Sequence, residues 1–419
     1  MHLPHRPTPS RVPFLALLLL LAACAAVPVA PSDRDQAMSE PLRLRVATFN
    51  ASLYDQAPGG LVARLRAGDE NARRIAAIVQ RVRPDILLLN EFDYDAGGEA
   101  ADLFRTRYLE VGQHGQQAIH YPWRYLAPVN TGVPSGLDLD GDGQVGGEGR
   151  QRGNDAWGYG LHPGQYGMLV LSRHPLDAGA ARSFRLLKWS ALPRASRPRH
   201  PDGRPFHPPE VWQALRLSSK SHWDLPADTP LGRIHLLAAH PTPPVFDGPE
   251  RRNAHRNHDE IRLWAEYLNP GNGDWLCDDD GRCGGLAEGE RFVILGDYNA
   301  DPADGASLPG AIHQLLEHPR VLRMATPRSE GGPETQAAIA TAQAAAGETP
   351  PEKRGAPAHA TAVFGRAGVF RVDYVLPSVG FRVVDSGVFW PREGEPGAEW
   401  LDASDHRLVW VDLEAADAE

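Results

Sequence analysis

Four apolar segments of this sequence lead directly into a polar residue of a kind that catalytic sites use. The alternating or continuous apolar character of these segments predicts β-strands. The predicted strands are Leu42–Asn50, Ile86–Leu89, Ile234–His240 and Phe292–Leu295, and the polar residues at or just after their ends are Asn50, Glu91, His240 and Asp297. Strand ends that share one edge of a rigid sheet bring together groups from distant parts of a chain. The sequence therefore predicts a functional site at a sheet edge.

Helical segments alternate with these strands. Apolar residues recur at helical spacing in Asp69–Val82, and Glu99–Leu109 and Glu250–Leu268 are also predicted to be helices. Further strands are predicted at Tyr166–Ser172, Trp212–Ser219, Val369–Leu376, Phe381–Phe389 and Leu408–Leu413. This order predicts an α/β protein but does not by itself separate one α/β architecture from another. Residues 129–163 are predicted to be a glycine-rich loop, and residues 326–359 a mobile lid or surface excursion.

Six short motifs follow one another along the chain. They are Ala47-Thr48-Phe49-Asn50, Pro84-Asp85-Ile86-Leu87-Leu88-Leu89-Asn90-Glu91, Leu237-Ala238-Ala239-His240, Leu295-Gly296-Asp297-Tyr298-Asn299-Ala300, Arg371-Val372-Asp373-Tyr374-Val375-Leu376 and Ser404-Asp405-His406-Arg407-Leu408. Each motif is weak alone, but in this order they resemble the endonuclease/exonuclease/phosphatase superfamily, which includes deoxyribonuclease I. The resemblance covers about residues 42–414. It implies an α/β four-layer sandwich, with two packed mixed β-sheets flanked by helices and an active site at one edge.

The resemblance also implies the parts of that active site. Mg²⁺ or Mn²⁺ would be held by Asn50, Glu91 and Asp405, because hard divalent cations prefer oxygen ligands. His406 would be the base that activates a water molecule, with Asp373 as the carboxylate that orients it. The alternative interpretation is that the segment around His406 is only a surface turn before a strand.

Three further residues complete the implied site. Asp297 and Asn299 would orient the nucleophile and hold phosphoryl oxygens, and Asp297 is an alternative to His406 as the base. His240 would protonate the leaving oxygen or stabilise the pentavalent transition state. Taken without the other motifs, Glu91 could instead form a strand-end salt bridge, and His240 could bond to backbone.

Three functions fit these residues. They are a metal-dependent phosphodiesterase or nuclease, a phosphomonoesterase or lipid phosphodiesterase on the same fold, and a non-catalytic surface lipoprotein that binds a ligand. Every expected catalytic residue type is present, which argues against the third. The chain has 43 Lys and Arg against 53 Asp and Glu, a net charge of −10, which is a weak basis for non-specific binding of long nucleic acid. The expected partner is a phosphoester, either nucleic acid or a small or lipid phosphodiester, and the fold alone does not decide which.

The N-terminal segment predicts export. Residues 1–23 have the basic start and apolar run of a signal peptide, and residues 21–24 resemble the bacterial lipobox, in which Cys24 is lipidated. A plain secretory signal with an incidental Cys24 is the alternative. Residues 24–40 are predicted to be a flexible tether, and residues 41–416 a catalytic domain. We therefore expect an exported monomer that is lipid-anchored at the outer membrane, in the periplasm or at the cell surface.

A glycine-rich stretch at 138–149 carries a second candidate metal site. Asp138, Asp140 and Asp142 have the spacing of the first three acidic ligands of a calcium loop. The glutamate that usually ends such a loop is absent, because Gly149 occupies its position. The pattern predicts a Ca²⁺ site or, alternatively, an acidic turn in solvent.

Two features lie outside these motifs. Cys277 and Cys283 bracket a short polar loop, which in an exported protein favours a local disulfide over a metal site. The segment after His240 is rich in groups that bind phosphate. The predicted substrate-binding residues there are Arg252, Asn253, Asn257 and His258. A solvated helix face is the alternative for each of them.

Overall fold

The computed structural model of the protein describes residues 42–271, 273–350 and 352–416. The predicted signal peptide, the predicted lipidation of Cys24 and the predicted tether lie outside the described residues and stay predictions. From Leu42 onward the described chain belongs to one compact unit. Within the described ranges, no helix is long and apolar enough to cross a membrane.

Two mixed β-sheets form the centre of the fold. The strands are β1 (Leu44–Leu53), β2 (Ile86–Phe92), β3 (Trp123–Tyr125), β4 (Met168–Ser172), β5 (Arg182–Ser183), β6 (His222–Thr229), β7 (Gly232–Ala239), β8 (Phe292–Asp297), β9 (Ala362–Val363), β10 (Val369–Phe370), β11 (Asp373–Pro377), β12 (Phe381–Val388) and β13 (Val409–Ala415). The first sheet has the order β12-β13-β1-β2-β4-β3 and the second β11-β8-β7-β6-β5, while β9 and β10 pair separately. In each large sheet one central pair is parallel, β1 with β2 and β7 with β8, and the other pairs are antiparallel.

Helices surround the two sheets. The α-helices are α1 (Gly60–Ala67), α2 (Glu70–Val82), α3 (Glu99–Phe104), α4 (Gly149–Asn154), α5 (Pro209–Ala214), α6 (Arg252–Leu268), α7 (His313–Leu316) and α8 (Gly331–Ala345). A π-helical turn at Arg105–Leu109 extends α3. Short 3₁₀ turns occur at Trp189–Ala191, Pro357–His359, Gly365–Ala367 and Ala398–Ala403.

Alternate residues of the central strands face opposite sides of their sheet. The residues packed between the two sheets include Val46, Leu88, Leu236 and Leu295. Their chain neighbours face outward and include Ala47 and Leu87 in the cluster with α2, and Leu237 and Ile294 in the cluster with α6. This alternation follows from the two-residue period of a strand that is apolar on both faces. The layers run helices, sheet, sheet, helices, which confirms the predicted α/β four-layer sandwich.

Helix α2 shows how local sequence sets these elements. The side chain of Asp69 accepts a hydrogen bond from the N–H of Ala72 (2.7 Å) and so caps the first turn. Ile75 and Val79 are fully buried against the first sheet. The helix ends at Arg83, which adopts a left-handed backbone conformation. The predicted helix in this segment is confirmed.

The predicted strand Trp212–Ser219 is wrong. Pro209 starts helix α5 instead, because proline is well tolerated in the first turn of a helix. Val211 and Leu215 then fall at helical spacing and pack in the outer cluster of the second sheet. The strand of this region, β6, begins only at His222.

Two other segments differ in detail from their predictions. The predicted strand Val369–Leu376 is interrupted, because the N–H of Arg371 donates to the carboxylate of Asp301 (2.7 Å) instead of to a neighbouring strand. Residues 326–359 contain the helix α8, most of which is exposed or half-buried. This segment is therefore a surface excursion with a regular helix in it.

Candidate active site

Strand pairing brings the predicted catalytic residues to one edge of the sandwich. Asp373, at the start of β11, lies opposite Asp297, at the end of β8. Strands β7 and β8 run parallel with Ala239 opposite Gly296, so His240 follows at the level of Asp297. Residues that are far apart in sequence therefore meet because their strands end together.

Two asparagines of the first sheet reach the second sheet at this edge. Asn50 Nδ2 donates to Asp297 Oδ2 (3.1 Å), and the N–H of Asp297 donates to Asn90 Oδ1 (3.1 Å). Asn90 Nδ2 also donates to the carbonyl of Ala239 (3.4 Å). Asn50, Asn90 and Asp297 are all buried, so water does not compete for these bonds. The first sheet thereby fixes the position of Asp297 on the second.

The centre of the site is a chain of three buried titratable groups. His406 Nδ1 lies 2.9 Å from Asp373 Oδ2, and His406 Nε2 lies 3.6 Å from Asp297 Oδ2. The predicted pairing of His406 with Asp373 is therefore present. One ligand atom from each of the three residues lies within 4.8 Å of the others, so the group has the spacing of a metal site as well as of a proton relay.

The two carboxylates determine the charge of His406. Burial lowers the pKa of an imidazole, but here the charges of Asp373 and Asp297 outweigh burial and raise the pKa of His406 to about 10. Burial raises the pKa of Asp297, but the charge of His406 and hydrogen bonds with His240 and Asn50 hold that pKa below its ordinary value. At neutral pH, His406 therefore carries its proton and Asp297 is ionised. The coupled groups titrate as one unit.

His240 contacts the same carboxylate from another side. Its Nε2 lies 3.4 Å from Asp297 Oδ2, and the residue is 2% exposed. Burial and the charge of Lys220 lower the pKa of His240 to about 4, so its ring is neutral at pH 7. Its Nδ1 is buried without a hydrogen-bond partner among the described residues. His240 does not belong to the described residues that line the cavity of this site, and its action on a leaving group stays a prediction.

Two of the three predicted metal ligands line the cavity of this site, and the third, Asn50, is buried with its amide nitrogen bonded to Asp297. Glu91 and Asp405 line the same cavity as Asp297. Glu91 is half-buried, and burial raises its pKa while a hydrogen bond with Asn50 lowers it. After burial, the charges of Glu91 and Asp405 are the main causes that raise the pKa of Tyr54, so both carboxylates lie near one phenol. Two carboxylates and an amide are hard oxygen donors, and this donor set fits Mg²⁺ or Mn²⁺.

Strained backbone is concentrated around the cavity. Five lining residues have φ between 48° and 66°, namely Ser52, Glu91, Tyr166, Phe246 and Asn299. Each such conformation costs on the order of 1 kcal/mol or more and persists only when neighbours hold it. The N–H of Asn299 donates to Asp297 Oδ1 (2.9 Å), and the N–H of Tyr166 donates to Asp93 Oδ1 (3.0 Å). Strain that is held in this way is typical of a functional site.

A cavity of about 940 Å³ opens at this edge. Of the predicted substrate-binding residues, Arg252 and Asn253 line it. Asn257 is fully buried, and its amide donates to two backbone carbonyls, both at 2.9 Å. His258 also lies outside the lining, and its ring is 2.9 Å from the buried Asp259. Asn257 and His258 thus lie outside the cavity lining, and their predicted binding of substrate stays a prediction.

Several lining residues were not among the predicted site residues. They include Tyr54, Tyr159, Tyr166, Lys220, Phe364 and Phe370. The rings of Tyr54 and Tyr166 pack with their centres 4.6 Å apart. Lys220 stands in a polar run just before β6, and the incorrect strand prediction upstream hid its position at the catalytic edge. The tyrosines carry no sequence signal of their own, because aromatic residues are equally common in cores.

The acidic loop forms a second group with metal-site spacing. Carboxylate oxygens of Asp138, Asp140 and Asp155 lie within 4.8 Å of one another. The predicted third ligand, Asp142, is outside this group, and its carboxylate accepts a hydrogen bond from the N–H of Gln144 (2.8 Å). Asp155 follows the short helix α4, and its two carboxylate oxygens accept hydrogen bonds from the N–H groups of Leu139 and Gly146, both at 2.7 Å.

The predicted disulfide is confirmed. Cys277 and Cys283 are bonded and close the short loop between α6 and β8. Asp278 in this loop accepts a hydrogen bond from Arg182 Nε (2.9 Å) in β5, which ties the loop to the edge of the second sheet. Neither cysteine lines the cavity described above, so the bond is a structural feature.

The four-layer sandwich, with polar groups of both sheets gathered at one edge, defines the deoxyribonuclease I-like class of α/β proteins. Residues 47–406 match the model of the Endonuclease/Exonuclease/phosphatase family. Because this match spans most of the chain, the protein belongs to the endonuclease/exonuclease/phosphatase family. Members of this family are generally phosphoester hydrolases.

Solved structures resemble this chain at low sequence identity. An endonuclease/exonuclease/phosphatase from Beutenbergia cavernae is 18% identical, with 89% of this chain and 72% of that chain covered and a TM-score of 0.49. Sphingomyelinase C from Streptomyces griseocarneus is 16% identical, with 90% and 100% covered and a TM-score of 0.42. The catalytic domain of human Nocturnin is 13% identical, with 90% and 96% covered and a TM-score of 0.42. A comparison with curated proteins finds no match.

Proposed function

We propose that this protein is an exported, metal-dependent phosphodiesterase that acts on small or lipid phosphodiesters. The observation that carries this proposal is the coupled Asp297–His406 pair on the wall of a 940 Å³ cavity. The same cavity holds the carboxylates of Glu91 and Asp405. Family membership supplies the reaction class, and the cavity supports the choice of substrate.

The coupled pair handles the proton of the attacking water. The ionised carboxylate of Asp297 is the acceptor, but its low pKa makes it a weak base alone, so we assign this role to the Asp297–His406 pair as a unit. The protonated His406 stabilises negative charge that develops on the phosphoryl group. Asp373, at 2.9 Å, holds the imidazole in its orientation. Asn299 lines the cavity beside Asp297 and helps to position the phosphoryl oxygens.

Glu91, Asn50 and Asp405 would hold a Mg²⁺ or Mn²⁺ ion. A divalent cation bound there supplies Lewis acidity and a template for the phosphoryl oxygens. The fit rests on the hard oxygen donors and on a half-buried Glu91 whose pKa is raised by burial, since a nearby cation would relieve the cost of that burial.

The volume of the cavity favours a small substrate. Its volume lies within the range of small-molecule sites, about 300–1,000 Å³. A duplex would need a basic surface, but the chain has a net charge of −10. A small phosphomonoester would fill little of the cavity. We therefore rank the phosphodiesterase first and the phosphomonoesterase second.

We infer Ca²⁺ binding in the acidic loop, with Asp138, Asp140 and Asp155 as ligands. The support is the spacing of three carboxylates, each of which offers an oxygen within 4.8 Å of the others. The loop would then be a structural element at the side of the cavity, because Leu139 and Asn154 line it.

Export rests on the N-terminal sequence, and a separate experiment tests it. If Cys24 is lipidated, the Cys24→Ser variant is released from the membrane fraction of cells. Unchanged fractionation of this variant would contradict the lipid anchor.

The test of the activity compares four substrates with Mg²⁺ or Mn²⁺. They are bis(4-nitrophenyl) phosphate, 4-nitrophenyl phosphate, plasmid DNA and a phospholipid in detergent micelles. We expect metal-dependent cleavage of the two small or lipid diesters, with little cleavage of DNA. Preference for DNA would assign a nuclease, preference for the monoester would assign a phosphatase, and inactivity on all four would favour the ligand-binding lipoprotein.

A further inference from the structure

Lys220 is a buried cation on the wall of the catalytic cavity. It is 6% exposed and lines the cavity together with Asp297, Asn299 and His406. Lysine is among the residue types that proteins bury least often, unless a partner offsets the charge. We therefore expect the side chain of Lys220 to have an anionic partner.

The backbone around Lys220 is held rigidly. The buried carboxylate of Glu260 accepts hydrogen bonds from the N–H of Ser219 (2.6 Å) and from its hydroxyl (2.9 Å). The carbonyl of Lys220 accepts a hydrogen bond from the N–H of Asn130 (2.9 Å). Strand β6 then begins with His222 opposite the last residue of β7. Lys220 thus enters at the edge where β7 ends and His240 follows.

The other cations of the cavity wall already have partners or are exposed. Arg256 donates to four backbone carbonyls at 2.6–3.1 Å. Arg252 forms an ion pair with Glu250. Arg150 is exposed. His406 is paired with Asp373. Lys220 forms a direct ion pair with no carboxylate in the part of the chain that the structure describes, so its side chain is available for an anionic ligand.

Three carboxylates act electrostatically on Lys220 without forming an ion pair with it among the described residues. Burial lowers its pKa, and the charges of Glu260, Glu91 and Asp297 oppose that effect. Glu260 is already used by backbone and hydroxyl donors, including the N–H of Thr242 at 2.6 Å. Glu91 and Asp297 line the same cavity as Lys220.

We propose that the ammonium of Lys220 binds a non-bridging oxygen of the substrate's phosphoryl group and stabilises the charge that develops there during hydrolysis. This proposal rests on the proposed function for its reaction, but the anion contact can be tested without turnover. A lysine ammonium supplies up to three donors as a compact point charge, and charge-assisted hydrogen bonds to phosphate are the strong ones. The competing explanation is that Lys220 only balances the buried carboxylates.

The experiment compares Lys220→Met with Lys220→Arg in the full-length protein with Mg²⁺. Lys188→Met is the matched control, because Lys188 is exposed and lies outside the cavity lining. The measured quantities are kcat/KM for bis(4-nitrophenyl) phosphate, the inhibition constant of inorganic phosphate, and the shift in Tm that inorganic phosphate causes. We expect Lys220→Met to lower kcat/KM by about 10²-fold and to raise the inhibition constant at least about tenfold. Lys220→Arg should recover part of both, and Lys188→Met should change neither.

The thermal arm separates this proposal from the proposed function. Inorganic phosphate should raise the Tm of the wild-type protein and of Lys188→Met, and it should not raise that of Lys220→Met. If the wild-type protein hydrolyses none of the substrates, the proposed function fails while this arm still decides the anion contact. An equal shift in wild type and Lys220→Met, or no shift in the wild type, overturns the proposal. If Lys220→Met does not fold, Lys220→Gln replaces it under the same criteria.

Discussion

The catalytic edge and the acidic loop both gather carboxylates, but they do so in opposite ways. At the edge, Asp297 takes its side-chain partners from distant segments, such as Asn50 on the other sheet and His406 near the end of the chain. In the loop, Asp138 and Asp142 accept hydrogen bonds from backbone N–H groups only two to five residues away. The arrangement of the edge is therefore set by contacts between distant segments, and that of Asp138 and Asp142 by local turns.

Burial separates the two regions in the same way. Asp297 and Asp373 are 1% exposed, whereas most of the loop between 138 and 149 is exposed or half-buried. The charged groups at the edge interact in a low-dielectric setting, so their pKa values differ strongly from the ordinary values. Their hydrogen bonds also fix their geometry before any ligand arrives. In the loop, Asp138 and Asp140 are half-buried and Asp155 is buried, and the backbone N–H groups that bind Asp138 could be exchanged for a cation. We thus expect changes at the edge to alter turnover, and changes in the loop to alter stability.

The largest effect is expected for His406→Ala. Removing the imidazole deletes the cation beside Asp297, so kcat should fall by about 10³-fold. The assay is hydrolysis of bis(4-nitrophenyl) phosphate well below the Tm of the variant. Asp142→Asn, a change in the loop outside its carboxylate group, is the control and should keep full activity. Retention of wild-type turnover by His406→Ala would falsify the assignment of the catalytic pair.

Glu91→Gln should have the next largest effect. The amide keeps the size of the side chain but removes the negative charge that a divalent cation requires. We expect kcat/KM to fall by about 10²-fold and the Mg²⁺ concentration for half-maximal activity to rise. A metal titration of activity measures both. The same Mg²⁺ dependence in wild type and variant would remove Glu91 from the metal site.

Thermal stability, and not turnover, tests whether the acidic loop binds Ca²⁺. Ca²⁺ should raise the Tm of the wild-type protein, and excess EGTA should reverse the rise. At a Ca²⁺ concentration of 100 Kd the stabilisation is about 2.7 kcal/mol. Asp155→Asn should abolish this Ca²⁺-dependent shift, while Asp142→Asn should keep it. A shift lost only in Asp142→Asn would restore the ligand set predicted from sequence.

The smallest effect concerns acid stability at the edge. The folded-state pKa of His240 is lowered to about 4 by burial, so below pH 6.5 the unfolded chain binds a proton that the folded chain does not. Stability therefore falls as pH decreases, by about 0.7 kcal/mol between pH 7 and pH 6 for this residue. His240→Gln should flatten the pH dependence of Tm in this window. The loop has no histidine between 138 and 155, so its variants should leave that slope unchanged.

Much of the fold and the catalytic edge could be predicted from sequence. β1, β2, β7 and β8 are long apolar runs that end in polar residues, and α2 carries its own N-cap at Asp69. Such elements combine strong periodicity with clear boundaries. The pairing of His406 with Asp373 followed from the ordered motifs rather than from local pattern.

The remaining features depend on tertiary contacts that no local pattern encodes. The strand β6 was missed because Pro209 turns the apolar run before it into a helix. Without β6, nothing indicated that Lys220 lies at the catalytic edge. Asp155 joins the loop acids through the turn that α4 makes, a distance in space that a fixed motif length does not describe. Asn257 is of a residue type that can bind phosphate, but it is buried and its amide donates to the carbonyls of Thr242 and Tyr298.

The bonds that Asn50 and Asn90 make across the sandwich have a mechanical consequence. Asp297 belongs to one sheet, and its position is set by amides that belong to the other. A slide of one sheet against the other by a fraction of a side-chain length would break these bonds while leaving the two outer clusters, with α2 and with α6, packed. The geometry of the active site therefore depends on the alignment of the two sheets. In mild denaturant, catalytic activity should disappear before secondary structure does.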